Sequence, residues 1–299
     1  MSRDPFPDER ETNDRAGRTA APGRDDHNRS RNTDSISGPS RDEHQKPEID
    51  GSARTYYLRD RAYVLRESEF KSLVEIGRFR VINAKDLAEF GYAGDGERFN
   101  RDVRHLREQG LVGVQSITRG GREAEKLLVL TKKAKRLLVQ SGRLPEGQAI
   151  YHGLKKPREA KHDADLYRLY QKESARIESA GGRPVRVALD YELKRNLHRE
   201  LAQLGNEGQT REARERVADK QGLVLVNDRV QVPDLRLEYE TADHERKHVD
   251  LELANRNYRP RALAQKAKAG FSIYAPREDA SKLRRIFEES ELTARIFAL

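Results

Sequence analysis

Three cap-and-stop pairs set the order of elements in the first half of this chain. Asn83 can cap a helix over 84–90 that Gly91 stops, Asp95 caps 96–109 before Gly110, and Thr131 caps Lys132–Gln140 before Ser141-Gly142. Short polar side chains accept hydrogen bonds from the first free N–H groups of a helix, and glycine takes the left-handed turn that ends one. Ahead of these caps, Val64, Leu65, Phe70, Leu73, Val74, Ile76 and Phe79 recur at roughly helical spacing. That spacing predicts a helix over 63–79, followed by a short extended piece over 79–82. Between the last two capped helices, residues 111–117 and 124–130 are β-prone and flank the basic turn Thr118-Arg119-Gly120-Gly121-Arg122.

The resulting order is helix, short strand, helix, helix, strand, basic turn, strand, helix. This is the order of a winged helix-turn-helix domain, and residues 54–142 are read as one. In the third helix Phe99, Val103 and Leu106 stand at i, i+4 and i+7 and face a core, while Arg98, Arg101, Arg104 and His105 lie elsewhere on its surface. In such a domain the third helix enters the major groove, where arginine reaches guanine O6 and N7 or a phosphate. Arg119 and Arg122 would form the wing, against the backbone or the minor groove. A helical domain with a solvated arginine face satisfies the periodicity alone; the hairpin and the charge favour the DNA reader.

The charge is unevenly spread. Residues 54–160 carry 23 Lys+Arg against 14 Asp+Glu, a surplus of +9 that equals the net charge of the whole chain. Residues 1–53 sum to −3 and residues 161–299 to +3. A basic segment of this kind attracts phosphate, and the excess of Arg (42) over Lys (17) suits bidentate phosphate contacts. The first 53 residues contain five Pro, four Gly and only eight residues of the hydrophobic set. That is too little apolar surface to offset the entropy of ordering, so a disordered tail is predicted. The absence of cysteine excludes disulfides, thiolate metal sites and cysteine catalysis. No apolar run approaches the ~18 residues of a membrane span. The start, Met-Ser-Arg-Asp-Pro-Phe-Pro, lacks the apolar core of a signal peptide. A cytoplasmic protein with no membrane partner is expected. There is no Gly-rich phosphate loop, no G-x-S-x-G and no H-E-x-x-H, which argues against ATP-driven, serine-hydrolase and zinc-protease chemistry.

Residues 143–160, with Arg-Leu-Pro-Glu-Gly at the start and Lys-Lys-Pro-Arg later, read as a linker to a second domain over 161–299. There the patterning predicts helix 162–179, strand 184–189, helices 191–204 and 210–221, and strand 223–226. After the turn Asn227-Asp228 come strands 230–239 and 247–254, helix 261–269, strand 271–275, helix 279–288 and an apolar end over 292–299. Alternation puts His248, Asp250, Glu252 and Ala254 on one strand face, and Asp234 follows Val232-Pro233 on the preceding strand. Two acids on one face, beside an aspartate from a neighbouring strand, can hold Mg²⁺, which activates water and stabilises charge on a phosphodiester. The same pair equally suits a salt-bridged or solvated face. Glu192 fits either a site glutamate or an ordinary helix position, and His162 either a phosphate contact or a packed side chain.

Pro233-Asp234, then Asp250 and Glu252 on a strand, then a helix with Lys266 resemble the PD-(D/E)xK nuclease superfamily. More narrowly, residues 58–275 resemble the replication-relaxation proteins of actinobacterial plasmids and integrative elements. The matching pieces are His162-Asp163-Ala164-Asp165-Leu166, Tyr191-Glu192-Leu193-Lys194-Arg195, Val232-Pro233-Asp234, Leu251-Glu252-Leu253 and Leu263-Ala264-Gln265-Lys266. The resemblance implies an α+β protein: a disordered N-terminal tail, a winged helix-turn-helix domain, then an α/β nuclease-like domain of PD-(D/E)xK type. The superfamily strand reads acid-x-Lys, whereas here Glu252 or Ala254 stands at the lysine position; the resemblance then implies either the acid-x-acid version found in some nucleases of the superfamily or an amine supplied by Lys266 or Lys268. The implied function is that of a DNA-binding accessory protein in plasmid or integrative-element replication, mobilisation or its control. Its partners would be double-stranded DNA, replication or relaxosome proteins and a second copy of the chain. One alternative is a Mg²⁺-dependent endonuclease, with Asp234, Asp250 and Glu252 on the metal and Lys266 near the attacking water. The other is a winged-helix transcriptional regulator. The departure from acid-x-Lys puts the non-catalytic reading ahead.

Overall fold

The computed structural model describes residues 53–117, 124–255, 258–289 and 296–298. The tail predicted over 1–53 (Ala53 apart) and the basic turn with Arg119 and Arg122 lie outside the described residues.

The first described element is a hairpin that helical spacing did not separate from the helix behind it. β1 (Arg54–Leu58) pairs antiparallel with β2 (Arg61–Leu65). Tyr63 and Leu65 are buried while Val64 between them is exposed, which is the period of a strand. α1 (Glu67–Arg78) follows, and the Glu69 carboxylate accepts the Arg66 N–H at 2.8 Å to close its first turn. Next come β3 (Ile82–Asn83), α2 (Ala84–Asp86) running on into a π-helical turn over Leu87–Gly91, and α3 (Gly96–Glu108). β4 (Val112–Ile117), β5 (Glu125–Leu130) and α4 (Lys132–Gln140) complete this half. The three caps stand where expected: Asn83 accepts from the Lys85 N–H, Asp95 from Arg98 and Thr131 from Ala134. The strands form an antiparallel sheet in the order β3-β5-β4.

The second half runs α5 (Ala160–Ser179), β6 (Arg183–Leu189), α6 (Asp190–Gln203), a 3₁₀ turn over Gly205–Gln209 and α7 (Arg211–Lys220). It continues with β7 (Val224–Val226), β8 (Arg229–Gln231), β9 (Leu235–Glu240), β10 (Arg246–Leu253) and α8 (Pro260–Lys268). β11 (Ser272–Ala275), α9 (Arg277–Glu289) and β12 (Ile296–Ala298) close it. The main sheet has the order β12-β11-β10-β9-β6; β6, β9 and β10 pair antiparallel, and β10, β11 and β12 parallel. The single strand expected over 230–239 is two strands. β8 folds back on β7 across Asn227 and Asp228, whose φ of 49° and 59° suit a two-residue hairpin turn. Pro233, which has no N–H to give a ladder, separates β8 from β9.

The two halves share one core. Phe79, at the end of α1, packs edge-on against Tyr167 of α5 at 5.3 Å between ring centroids and against Tyr170 at 5.1 Å. Val81, Leu127 and Val129 meet Ala160 and Ala164. The stretch 143–160, linker-like in composition, is built into this core. The Tyr151 N–H donates to the Gly77 carbonyl at 2.7 Å and the Gly153 N–H to Leu130 at 2.9 Å. The Gln148 amide both accepts from the Val187 N–H and donates to its carbonyl, in the manner of an extra strand. Gly77 is needed for the fit, since a Cβ there would stand 2.8 Å from side-chain carbons of Ile150 and Leu130.

Candidate functional site

α3 is held to the body by charge as well as by apolar packing. Phe99, Val103 and Leu106 are buried as the periodicity required, and between them Asp102 is fully buried. Its carboxylate accepts from Ser68 Oγ at 2.6 Å, Arg66 Nη2 at 3.0 Å, Arg101 Nε at 3.2 Å and Tyr92 Oη at 3.3 Å. Glu69, equally buried, takes Arg66 at 2.6 Å and His105 Nδ1 at 2.6 Å. Buried carboxylates with this many donors fix the rotation of a helix about its axis, because each partner sits in one direction only.

That clamp corrects the reading of His105. Its Nδ1 faces Glu69 and its Nε2 faces Gln109 at 2.6 Å, so both ring nitrogens are engaged by neighbouring side chains while the ring stays partly exposed. The outward face of α3 carries Asn100, Arg101, Arg104 and Arg107, all exposed, with Glu97 and Glu108 exposed beside them and Arg98 half-buried at its start. Arg107 continues the spacing of Arg101 and Arg104 by three residues, a signal present in the sequence itself. Arg119 and Arg122 lie outside the described residues.

The acidic pattern of the second half divides in two. Asp250 stands opposite Arg236 in the β9–β10 ladder. Arg236 grips it with Nε at 2.7 Å and Nη2 at 2.8 Å, and spends its remaining donors on the carbonyls of Gln221 and Gly222. Asp234 and Glu252 do come together. Asp234 accepts the Leu253 N–H at 3.0 Å, and its own N–H points to Glu252 Oε2 at 3.3 Å. Lys266, from α8, reaches Glu252 Oε2 at 3.1 Å and the Val232 carbonyl at 2.6 Å, and Tyr258 donates to Glu252 Oε1. His162, at the start of α5, places Nε2 3.3 Å from Asp234 and Nδ1 3.7 Å from Asp163. Burial, and then the charge of Asp234, push the Glu252 carboxyl up to about 7 against the pull of Lys266 and Tyr258. Burial works against a charge on His162, but its contacts with Asp163 and Asp234 prevail and raise it to about 10.

This arrangement does not fit the three-acid Mg²⁺ set expected from the strand pattern. Asp250 is neutralised by Arg236, while His162 and Lys266 already bring positive charge to Asp234 and Glu252. Among the described residues no three His, Cys, Asp or Glu side chains are placed to hold a metal ion. Lys266 is where a helix-borne lysine was expected; His162 and Tyr258 join the cluster from elements that strand alternation cannot see. Glu192 is buried and paired with Arg186, which also binds Glu238 at 2.5 Å, so it serves the packing of α6 on the sheet.

No protein-family model matches the chain, and no curated protein matches it. Among solved structures, Bacillus subtilis PadR in complex with operator DNA is similar over 52% of this chain and 73% of that one, at 15% identity and a TM-score of 0.22. A likeness at that score defines neither fold nor function. The fold is established from the chain's own elements as mixed helix and sheet. Among the described residues no helix is long and apolar enough to cross a membrane.

Proposed function

We propose that this protein binds duplex DNA, with α3 as the helix that enters the major groove. The observation that carries the reading is the exposed row Asn100, Arg101, Arg104 and Arg107 on a helix whose orientation is fixed from behind by Asp102 and Glu69. Around it, the order of α1, β3, α2, α3, β4 and β5 is that of a winged helix-turn-helix. Guanidinium groups at three-residue spacing suit guanine edges and phosphates alike. The second half is read as a non-catalytic, PD-(D/E)xK-like α/β body. The whole is then a DNA-binding accessory of the replication-relaxation kind, acting in plasmid or integrative-element replication, mobilisation or its control. A mobility-shift assay on duplex DNA tests the reading. Arg104→Ala/Arg107→Ala should weaken binding about ten-fold or more while leaving the thermal transition in place, each lost contact being worth roughly 1 kcal/mol or more. Undiminished binding by the double variant would remove α3 as the reader.

One observation favours the endonuclease reading: Asp234, Glu252 and Lys266 converge across β9, β10 and α8. Incubating supercoiled DNA with the protein, with and without Mg²⁺ or Mn²⁺, decides it. The charge balance of the cluster predicts no cutting; metal-dependent cutting that Asp234→Ala abolishes would establish the enzyme.

A further inference from the structure

A second basic surface lies in a groove between α4 and the β1–β2 turn. Arg59, Lys132, Lys135, Arg136 and His152 line it, and no carboxylate does. Its floor is apolar, formed by Leu58 and by Val139, which is 60% exposed. Several other cations of this chain are paired: Arg66 with Glu69, Arg80 with Asp163 and Asp190, Arg143 with Glu67 and Arg236 with Asp250. In the groove Arg59, Lys132, Lys135 and Arg136 form no ion pair among the described residues. Arg59 is held at the turn with a φ of 53°, outside the range most side chains prefer.

No carboxylate among the lining residues offsets this charge. Burial, and then the charges of Lys155 and Arg195, lower the Lys135 ammonium below its ordinary range. Burial followed by Lys135, Lys155 and Lys132 lowers His152 in the same way. Lys155 comes from the strap at 143–160 and Arg195 from α6, so both halves of the chain feed positive charge into one place. Like charges at this density cost stability unless an anion answers them.

We propose that this groove is a second DNA contact, taking the phosphodiester backbone of a duplex beyond the segment read by α3. The proposal rests on the reading of the protein as a duplex-DNA binder. Lys132 and Arg136 stand one helical turn apart, about 6 Å along the axis, close to the axial advance of two nucleotides at ~3.4 Å each. The apolar floor gives the sugars a surface that does not need hydrating. α4 begins beside the end of α3, where Lys133 Nζ lies 3.4 Å from the Gln109 carbonyl. The groove therefore belongs to the element next to the proposed reading helix, and a long duplex engages both surfaces.

The test is fluorescence anisotropy of a long labelled duplex over a salt series. It uses the full chain, the groove variant Lys132→Ala/Lys135→Ala/Arg136→Ala, the milder Lys132→Gln/Arg136→Gln, and Arg104→Ala/Arg107→Ala. Melting curves establish that each is folded; Lys132 and Arg136 are exposed, so the milder variant keeps the test open if the triple one unfolds. Each phosphate contact adds about 0.9 to the slope of log affinity against log salt. The triple variant should therefore lose about 2–3 from the slope and the milder one about 1–2. Both should bind a duplex that covers α3 alone as the parent does. If the groove variants keep the parent slope while the α3 variant lowers it, the groove proposal is overturned and α3 stands. If the groove variants lower the slope and the α3 variant does not, the groove is the DNA site and the α3 reading falls. A parent that binds no duplex ends both.

Discussion

His162 stands in a chain of charges that runs on to Arg80 and so ties the two halves of the molecule. It lies between Asp163 and Asp234, at 3.7 Å and 3.3 Å, and Asp163 in turn accepts from Arg80 at 3.3 Å. Arg80, with a φ of 61° just before β3, also reaches Asp190 at 2.9 Å. Because the folded state raises His162 to about 10 from an ordinary 6.5, its protonated form contributes stability in full below about pH 6.5. That contribution fades as the pH climbs to about 10. Urea unfolding between those limits should show the parent losing stability faster than His162→Gln. Parallel profiles would mean that His162 is not held protonated. Residue-scale features of this kind were only partly legible beforehand. Strand alternation put Asp250 and Glu252 on one face correctly, but alternation names a face and not a partner. Arg236 opposite Asp250 and Lys266 beside Glu252 are set by register and by a crossover helix, which composition does not encode. Helical spacing likewise placed His105 on the α3 surface without revealing that Glu69 draws its ring inward.

At the scale of elements, what was legible had local causes. Asn83, Asp95 and Thr131 cap their helices with their own side chains, so sequence alone located α2, α3 and α4. Where the decision is tertiary, the reading failed. Val64 and Leu65 fit a helical period with Phe70 and Leu73, yet they belong to β2, because pairing with β1 competes for them. Pro233 ends one strand register and starts another, although Val230 to Tyr239 reads as one β-prone run. The 3₁₀ turn after α6 gives a sharp test of an element's fit. A Cβ on Gly208 would collide with the Leu201 carbonyl oxygen, a backbone atom that cannot swing aside. Gly208→Ala should cost about 1–3 kcal/mol, in the range of overpacked cores, and lower the melting temperature. An unchanged melting curve would show that the turn after α6 can shift at no cost.

At the scale of the whole molecule, the sequence suggested two domains joined by a linker, whereas the packing makes one body from Ala53 onward. Phe79 needs Tyr167 and Tyr170, Leu127 and Val129 need Ala160 and Ala164, and Ile150 fills the space that Gly77 leaves. Linker-like composition hid this, since the strap at 143–160 is fixed by backbone hydrogen bonds and by one glutamine rather than by an apolar run. A fragment of residues 54–142 should therefore lack a cooperative unfolding transition, which residues 54–299 keep; a sharp transition from the short fragment would show that the first half folds alone. The shared core also gives the DNA reading its geometry, because the bonds of Asp102 and Glu69 present α3 from that body in one orientation. The chain contains no cysteine, so one introduced thiol reports one place. Asn100→Cys on the outer face of α3 and Glu212→Cys on the exposed side of α7 can each carry a photo-crosslinker, with duplex DNA as the target. DNA should attach covalently at position 100 and little at position 212. Attachment at 212 with none at 100, by proteins that still bind the duplex, would contradict the reading of α3.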